Sequence, residues 1–444
     1  MLTTGRARLL WVAGLATAVS LFIALVPGHR GWFDVGVYYG TVNDWVHAGG
    51  GIYDYLKPGT HYGFTYPPFA AVAMLPMSLL GWHTVVVAHT ALTAVACAAL
   101  LYWLVDPIAR DHGWHRLFVS GLGACALAML QPARDTVSFG QVNLLLVALV
   151  WADAQLLARG GGRRLGRWAG IGIGLAAAIK ITPAVFIVFL LLAGRRRAAA
   201  TAAATAATAT AVSALVAPAP SLTFWTGALW HTSRVGDTAY ISNQSLLGAL
   251  ARWSATPNRA LWLIAVVAVL ALWAWRVRRA VRAGDLAGGF ALTGLVACLV
   301  SPITWVHHLV WAIPALAITV RVALAEAAAR RRRLLWGTGT AYVILCSSVV
   351  WLWWYHHSGL GGLLGGSAYV WVTLALLVGM PLRPAKTAVT VPVPVAVGAG
   401  LPVVPTAAVS VLVTSAAEAD ERVLSPAVHS TANRESISVL AARP

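Results

Sequence analysis

Gly31-Trp32-Phe33-Asp34-Val35-Gly36-Val37-Tyr38-Tyr39 follows directly on an apolar run over residues 9–26. That run is long enough to cross a bilayer as a helix. Asp34 is the first acidic residue of the chain. A carboxylate at the mouth of a membrane helix must be solvated, paired or used. Asp34 therefore reads either as a solvated loop aspartate or as part of a functional site, and the rest of the chain has to decide between them.

Of the 444 residues, 59% are hydrophobic and only 10% are charged. Soluble domains carry about a quarter charged residues, so this composition marks an all-α polytopic membrane protein. The apolar runs are long and non-alternating, which suits helices and not barrel strands. The formal net charge of +18 does not point to nucleic acid. The arginines sit in short clusters between apolar runs, as cytoplasmic loops require. The cysteines, Cys97, Cys125, Cys298 and Cys346, fall inside apolar runs without metal-ligand spacing. The wealth of Ala, Gly, Val and Arg fits a GC-rich bacterial genome.

The arginine clusters set the topology. Arg6 and Arg8 place the N-terminus in the cytoplasm, and no small-residue cleavage site follows, so the first helix is expected to be retained. Residues 27–66 then lie outside, with aromatic residues suited to helices in the interface. The run 68–80 is short for a span, and counting it as a crossing would put the later clusters on the wrong side, so it reads as a juxtamembrane helix. Crossings are expected over 84–105, 117–130, 142–157, two short legs within 168–193, then 198–216, 261–275, 286–300, 309–320, 334–354 and 368–380. With the first helix this makes about twelve spans and leaves both termini cytoplasmic. Proline in Lys180-Ile181-Thr182-Pro183 breaks the pair of short legs and holds Lys180 near the outer surface. Residues 1–383 form one membrane domain. Residues 384–444, rich in Val, Pro, Ala, Ser and Thr without a helical period, read as a low-complexity, disordered cytoplasmic tail.

This topology collects the remaining polar residues on the outer face: Asp34, Arg134, Asp135, Gln141, Asn143, Lys180, His231, Arg234, Asn243, Gln244, His307 and His308. Several stand at helix ends beside proline breaks, where irregular backbone at membrane depth lines a cavity. One carboxylate among several cations suits an acidic lipid head group. Each residue also has a plainer role. Arg134 and Asp135 can form a loop ion pair, Lys180 can reach up to the interface, and the pairs His307-His308 and His356-His357 can be structural.

Asp34-Val35-Gly36-Val37-Tyr38-Tyr39, Phe64-Thr65-Tyr66-Pro67-Pro68-Phe69, Gly140-Gln141-Val142-Asn143-Leu144, Ala178-Ile179-Lys180-Ile181-Thr182-Pro183, Asn243-Gln244-Ser245-Leu246 and Ser301-Pro302-Ile303-Thr304-Trp305-Val306-His307-His308 together resemble the successive motifs of glycosyltransferase family 87. Its members are actinobacterial polyprenyl-phosphate-mannose-dependent α-1,2-mannosyltransferases with the GT-C membrane fold. Each motif is short. Six in order, at compatible topological positions, carry the resemblance over most of the chain up to residue 381.

The resemblance implies a plasma-membrane enzyme with an outer-face, extracytoplasmic active site and an inverting single displacement. It implies a polyprenyl-phosphate sugar donor, a glycolipid or lipoglycan acceptor among the membrane lipids, and Asp34 as the base. Chemistry agrees: one carboxylate can take the proton of the attacking hydroxyl as an oxocarbenium-like state forms. The leaving phosphate needs charge neutralised more than it needs a proton. Lys180 is the first candidate for that, with Arg134 and Arg234 behind it, and His307 or His308 for the donor's phosphate or sugar. Gln141, Asn143, Asn243 and Gln244 are expected to read sugar hydroxyls, and Tyr38, Tyr39 and Tyr66 to stack on sugar or line the lipid entrance. No cofactor or metal is expected, because a fixed cation can offset a single phosphate. Arabinose, glucose or galactose could replace mannose in the donor. A secondary transporter or flippase, or a non-catalytic envelope scaffold, are the readings of other classes; the first lacks an inverted repeat, and the second predicts that Asp34 is dispensable.

Overall fold

The fold is taken from a computed structural model that describes residues 4–25, 28–158, 164–230, 235–254, 257–355 and 358–383. The expected tail over 384–444, His231, Arg234 and the His356-His357 pair lie outside the described residues. The described chain is helical, without a strand; Leu56–Gly63 and Asn243–Trp305 are isolated bridges.

In chain order the helices are α1 (Gly5–Leu25), α2 (Phe33–Asn43), α3 (Pro68–Met74), α4 (Trp82–Leu104), α5 (Asp106–Asp111), α6 (Arg116–Met129) and α7 (Gln131–Phe139). Then come α8 (Asn143–Ala158), α9 (Ile171–Ile179), α10 (Val185–Leu192), α11 (Arg196–Val216), α12 (Pro218–Thr226) and α13 (Leu246–Trp253). The last are α14 (Arg259–Arg282), α15 (Leu286–Val300), α16 (Ile313–Leu324), α17 (Ala328–Cys346), α18 (Gly359–Leu364) and α19 (Ala368–Gly379).

Among the described residues, 5 helices are long and apolar enough to cross a membrane alone, or 6 if α6 and α7, bent by 73°, make one span. Other apolar helices run 10–17 residues, α8, α15 and α19 among them. Leu9, Leu10 and Trp11 on α1, Val87 and Val95 on α4, and Leu261, Ile264 and Val267 on α14 are exposed. In water such faces would aggregate, whereas lipid solvates them. The protein is thus multi-pass.

The core centres on α15, which is buried along nearly its whole length. It packs against α14, α19, α10 and the 3₁₀ segment Val306–Ala312. Small residues on α15 permit this close approach, and Phe186, Phe189, Trp311 and Phe290 interlock around it, with ring centroids 4.8–5.8 Å apart. Helix ends buried here are satisfied by side chains, as they must be away from water. Asp153 of α8 accepts from the Ile173 N–H at 2.7 Å at the start of α9. Asp285 caps α15 through the Gly288 N–H at 3.0 Å.

The 168–193 region breaks where proline demands it. α9 stops at Ile179, Lys180 is extended, and Pro183 sits in the 3₁₀ turn Thr182–Ala184 before α10 begins. Residues 68–79 form the short α3 and a 3₁₀ turn, packed on α2.

Arg252 of α13 is fully buried without a carboxylate partner among the described residues. Its Nε and Nη2 donate to Ser367 Oγ at 3.1 and 2.8 Å, and its Nη1 donates to the carbonyls of Tyr240 and Asn243 at 3.1 and 2.8 Å. It ties the 240–243 turn and the start of α19 to α13. Arg252→Met removes these four buried hydrogen bonds, leaves the Asn243 carbonyl without its donor and is expected to lower stability by about 2–4 kcal/mol. A fall in the unfolding midpoint of detergent-solubilised protein, followed by tryptophan fluorescence, checks this.

Candidate active site

Asp34 stands in the first turn of α2, and the chain reaches it through two successive left-handed residues, Gly31 (φ 60°) and Trp32 (φ 55°). A bulky residue rarely adopts that conformation, so strain is stored beside the carboxylate. Trp32 is held there by its N–H, which donates to the Ser138 carbonyl of α7 at 3.0 Å. The other side of this junction is Gly140, left-handed at φ 70° after α7 and packed against Val35 and Trp32. A side chain there would meet both, so glycine is required for the turn that delivers Gln141.

Gln141 Nε2 donates to Asp34 Oδ2 at 2.8 Å. Gln141 Oε1 accepts from the Tyr66 hydroxyl at 2.7 Å, and the Tyr66 oxygen accepts from the Tyr38 hydroxyl at 3.0 Å. Every donor in this chain points toward the carboxylate. Burial is the largest influence on Tyr38 and on Tyr66 and pushes both hydroxyls up, keeping them protonated donors. Asp34 Oδ1 takes no hydrogen bond among the described residues and is left for a ligand.

Lys180 closes the group. Its Nζ donates to Asn143 Oδ1 at 3.0 Å and to the Tyr66 hydroxyl at 3.4 Å, and it lies 2.8 Å from His308 Nε2. The Trp305 N–H donates to His308 Nδ1 at 3.2 Å. A neutral ring that accepts at Nδ1 carries its proton on Nε2. Lys180 keeps one N–H beyond those it gives to Asn143 and Tyr66, and beside it His308 Nε2–H has no acceptor among the described residues. His307 Nε2 is buried without a partner. This donor set suits an anionic oxygen.

These groups line one cavity of about 870 Å³ that contains Asp34, Tyr38, Tyr66, Gln141, Lys180, His307 and His308. The volume accommodates a sugar with a further ligand. Asp34 is half-buried: open toward the cavity, enclosed elsewhere. Burial pushes its carboxyl up to about 6, against the Gln141 hydrogen bond and the charges of Lys180 and Lys57, which pull it down. Among the described residues no group of three His, Cys, Asp or Glu gathers to hold a metal.

Several expected site residues stand elsewhere. Arg134 is turned away by the bend between α6 and α7. It donates to the Met129 carbonyl and, at 3.1 Å, to the Cys346 carbonyl, with its guanidinium 5.3 Å from the Phe22 ring centroid. It forms no ion pair with Asp135, which is buried and accepts from Gln131 Nε2 at 3.3 Å. Tyr39, one helical step from Tyr38, packs on Trp82 with centroids 5.6 Å apart. Asn243 and Gln244 are completely buried and spend their amides on backbone. Asn243 bonds Thr238, Pro302 and Thr304, and Gln244 bonds Ile241, Gly366 and Tyr369. They staple irregular loops instead of facing the cavity. Asn143 is buried behind the cavity wall, where it positions Lys180.

Arg30 lines the cavity and was not anticipated. Its signal was an arginine just past the first crossing, on the face where cytoplasmic clusters are not expected. Asp237, Tyr240 and Trp305 line the same cavity.

The family model for glycosyltransferase family 87 matches residues 64–302, which include Tyr66, Gln141 and Lys180. The chain belongs to glycosyltransferase family 87. It is 31% identical over 405 residues, 84% of this chain and 88% of the relative, to a polyprenol-phosphate-mannose-dependent alpha-(1-2)-phosphatidylinositol mannoside mannosyltransferase of Mycolicibacterium smegmatis. A protein of the same description from Mycobacterium tuberculosis is 33% identical over 83% of this chain and 89% of its own length. A pentamannoside mannosyltransferase of Mycolicibacterium smegmatis is 33% identical over 69% of this chain and 75% of its own. No solved structure matches the chain. As a family 87 protein the chain is a membrane hexosyltransferase, which sets aside the transporter and scaffold readings.

Gln141→Leu removes the N–H that holds the Asp34 carboxylate, so its carboxyl is expected to titrate above the wild-type value of about 6. Infrared difference spectra across a pH series read this directly; an unchanged carboxyl band would contradict the assigned bond.

Proposed function

We propose that this enzyme transfers mannose from a polyprenyl-phosphate donor to a hydroxyl of a phosphatidylinositol mannoside or related lipoglycan, forming an α-1,2 linkage with inversion on the extracytoplasmic face. Mannose, its polyprenyl carrier and the acceptor class come from the named relatives. The observation that carries the mechanism is the joining of Asp34, through Gln141 and Tyr66, to the converging donors of Lys180 and His308.

In the reaction the acceptor oxygen attacks the anomeric carbon and its proton passes to Asp34. The bond from that carbon to the phosphate oxygen breaks, and the electron pair leaves on polyprenyl phosphate. Lys180 and His308 hold the phosphate oxygens as charge grows there, with His307 Nε2 beside them. A retaining route needs a second carboxyl about 5–5.5 Å from the first. The deep cluster contains one carboxylate among the described residues, which suits a single displacement. Asp34 must be ionised to act. With its carboxyl near 6, it is mostly ionised at neutral pH and close enough to neutrality to accept a proton.

The same reading takes the GT-C arrangement with about twelve crossings, the shorter apolar helices completing the count with tilt or partial burial. Both termini are cytoplasmic, and the cavity faces the side where the donor's sugar is presented. No metal is required, because protein cations offset the one phosphate.

Purified protein supplied with polyprenyl-phosphate-mannose and a phosphatidylinositol mannoside tests this; linkage analysis should return an α-1,2-mannosyl product. Product formed only from an arabinosyl, glucosyl or galactosyl donor would replace mannose in the reading. EDTA should leave turnover unchanged. Asp34→Asn should lower kcat by at least about 10²-fold with the protein still folded in membranes. In the wild type kcat should rise with pH through about 6 as Asp34 ionises. Lys180→Ala should reduce kcat/KM for the donor about 10²–10³-fold while the acceptor KM holds. A change confined to the acceptor KM would remove Lys180 from the phosphate.

A further inference from the structure

The cavity has more wall than the transfer chemistry uses. Next to the deep cluster, which it meets where the Trp305 N–H bonds His308, it is also lined by Arg30, Asp237, Tyr240 and Trp305. We propose that these four residues form a second subsite that holds the phosphate-bearing carbohydrate head group of the acceptor. The proposal rests on the reading above that the donor's own phosphate sits at Lys180.

Arg30 is built to meet an anion. Its guanidinium lies 5.2 Å from the Trp351 ring centroid and 5.7 Å from that of Phe139. Two aromatic faces thus fix its position, and the in-plane N–H groups stay available for bidentate bonds to phosphate. Among the described residues it makes no ion pair with a carboxylate. Its charge reaches the Tyr240 hydroxyl and the buried Asp135 carboxyl, which is spent on Gln131, so Arg30 and Tyr240 belong to one patch.

Asp237 and Tyr240 share a turn, the Tyr240 N–H donating to the Asp237 carbonyl at 3.2 Å. The turn is entered through Gly236, at φ 140° and pressed on the Trp305 ring, where a side chain has no room. That fit leaves Asp237 exposed at the cavity lining, beside the paired rings of Tyr240 and Trp305, whose centroids are 5.7 Å apart. A carboxylate accepts from sugar hydroxyls, and aromatic faces take the C–H side of a sugar ring. A guanidinium a short way off adds the phosphate. Only a ligand carrying both sugar and phosphate uses all three. The donor has a single phosphate, already met in the deep cluster, so the second belongs to the acceptor. Held here, the head group would set which of its hydroxyls comes within reach of Asp34.

The test titrates the full-length, detergent-solubilised protein with three soluble probes: deacylated phosphatidylinositol dimannoside, the corresponding mannobiose without phosphate, and inorganic phosphate. Wild type should bind the phosphorylated glycan at least about tenfold more tightly than either of the others. Arg30→Gln should erase its advantage over the neutral glycan. Asp237→Asn should weaken both glycans about tenfold, and the donor KM should hold in both variants. Probe affinities unmoved by the two substitutions, a rise in donor KM alone, or inorganic phosphate binding as tightly as the phosphorylated glycan would each overturn the subsite. Wild type that binds the glycan as expected but transfers no mannose would overturn the donor reading and leave the subsite standing.

Discussion

The bond from Gln141 to Asp34 is the constraint on which the site depends. It joins α2 to the turn between α7 and α8. Without it the carboxylate would sit in a buried setting with only distant charges to keep it ionised. The same amide accepts from Tyr66, which in turn meets Lys180. One side chain therefore sets the distance between the Asp34 carboxylate and the Lys180 amine. The left-handed backbone at Trp32 and Gly140 follows from this, since both residues bring the two segments to bonding distance. Strain at that junction is the expected companion of a site whose geometry is fixed before a ligand arrives.

Much of the architecture was legible in the sequence because two signals in it have few interpretations. Arginine clusters mark one side of a membrane, and a proline inside an apolar run ends a helix. From these came the short helix within 68–79, the break at Lys180 and the apolar helices that follow. Lengths were less legible. α14 continues to Arg282, with Arg276 turned inward onto the Val378 and Met380 carbonyls, and α17 begins among exposed arginines whose long side chains carry their charges to water.

The site was legible in part, and the errors have a common cause. Polar residues at helix breaks serve two masters: a ligand in the cavity, or the backbone that the break strips of its partners. Asp34, Gln141, Lys180 and His308 face the cavity. Asn243 and Gln244 occupy the same kind of position and satisfy backbone instead, sharing that task with Ser245 and Arg252. Residue type cannot separate these cases. Arg30 is illegible for the opposite reason: a lone arginine carries no cluster signal, and only the packing of Phe139 and Trp351 around it shows that it lines the cavity.

The direction of the hydrogen bonds at Asp34 has a consequence for turnover. A carboxamide stands between the carboxyl group and the two phenols. An amide donates and accepts, yet it does not readily hand a proton onward as water or imidazole does. The Tyr38–Tyr66–Gln141 line is therefore an insulator rather than a wire. Under the proposed mechanism, a proton captured by Asp34 has no route into the protein along it and leaves by the way the acceptor came. Resetting the base is then tied to departure of the product and entry of water, so each cycle ends with the mouth of the cavity open.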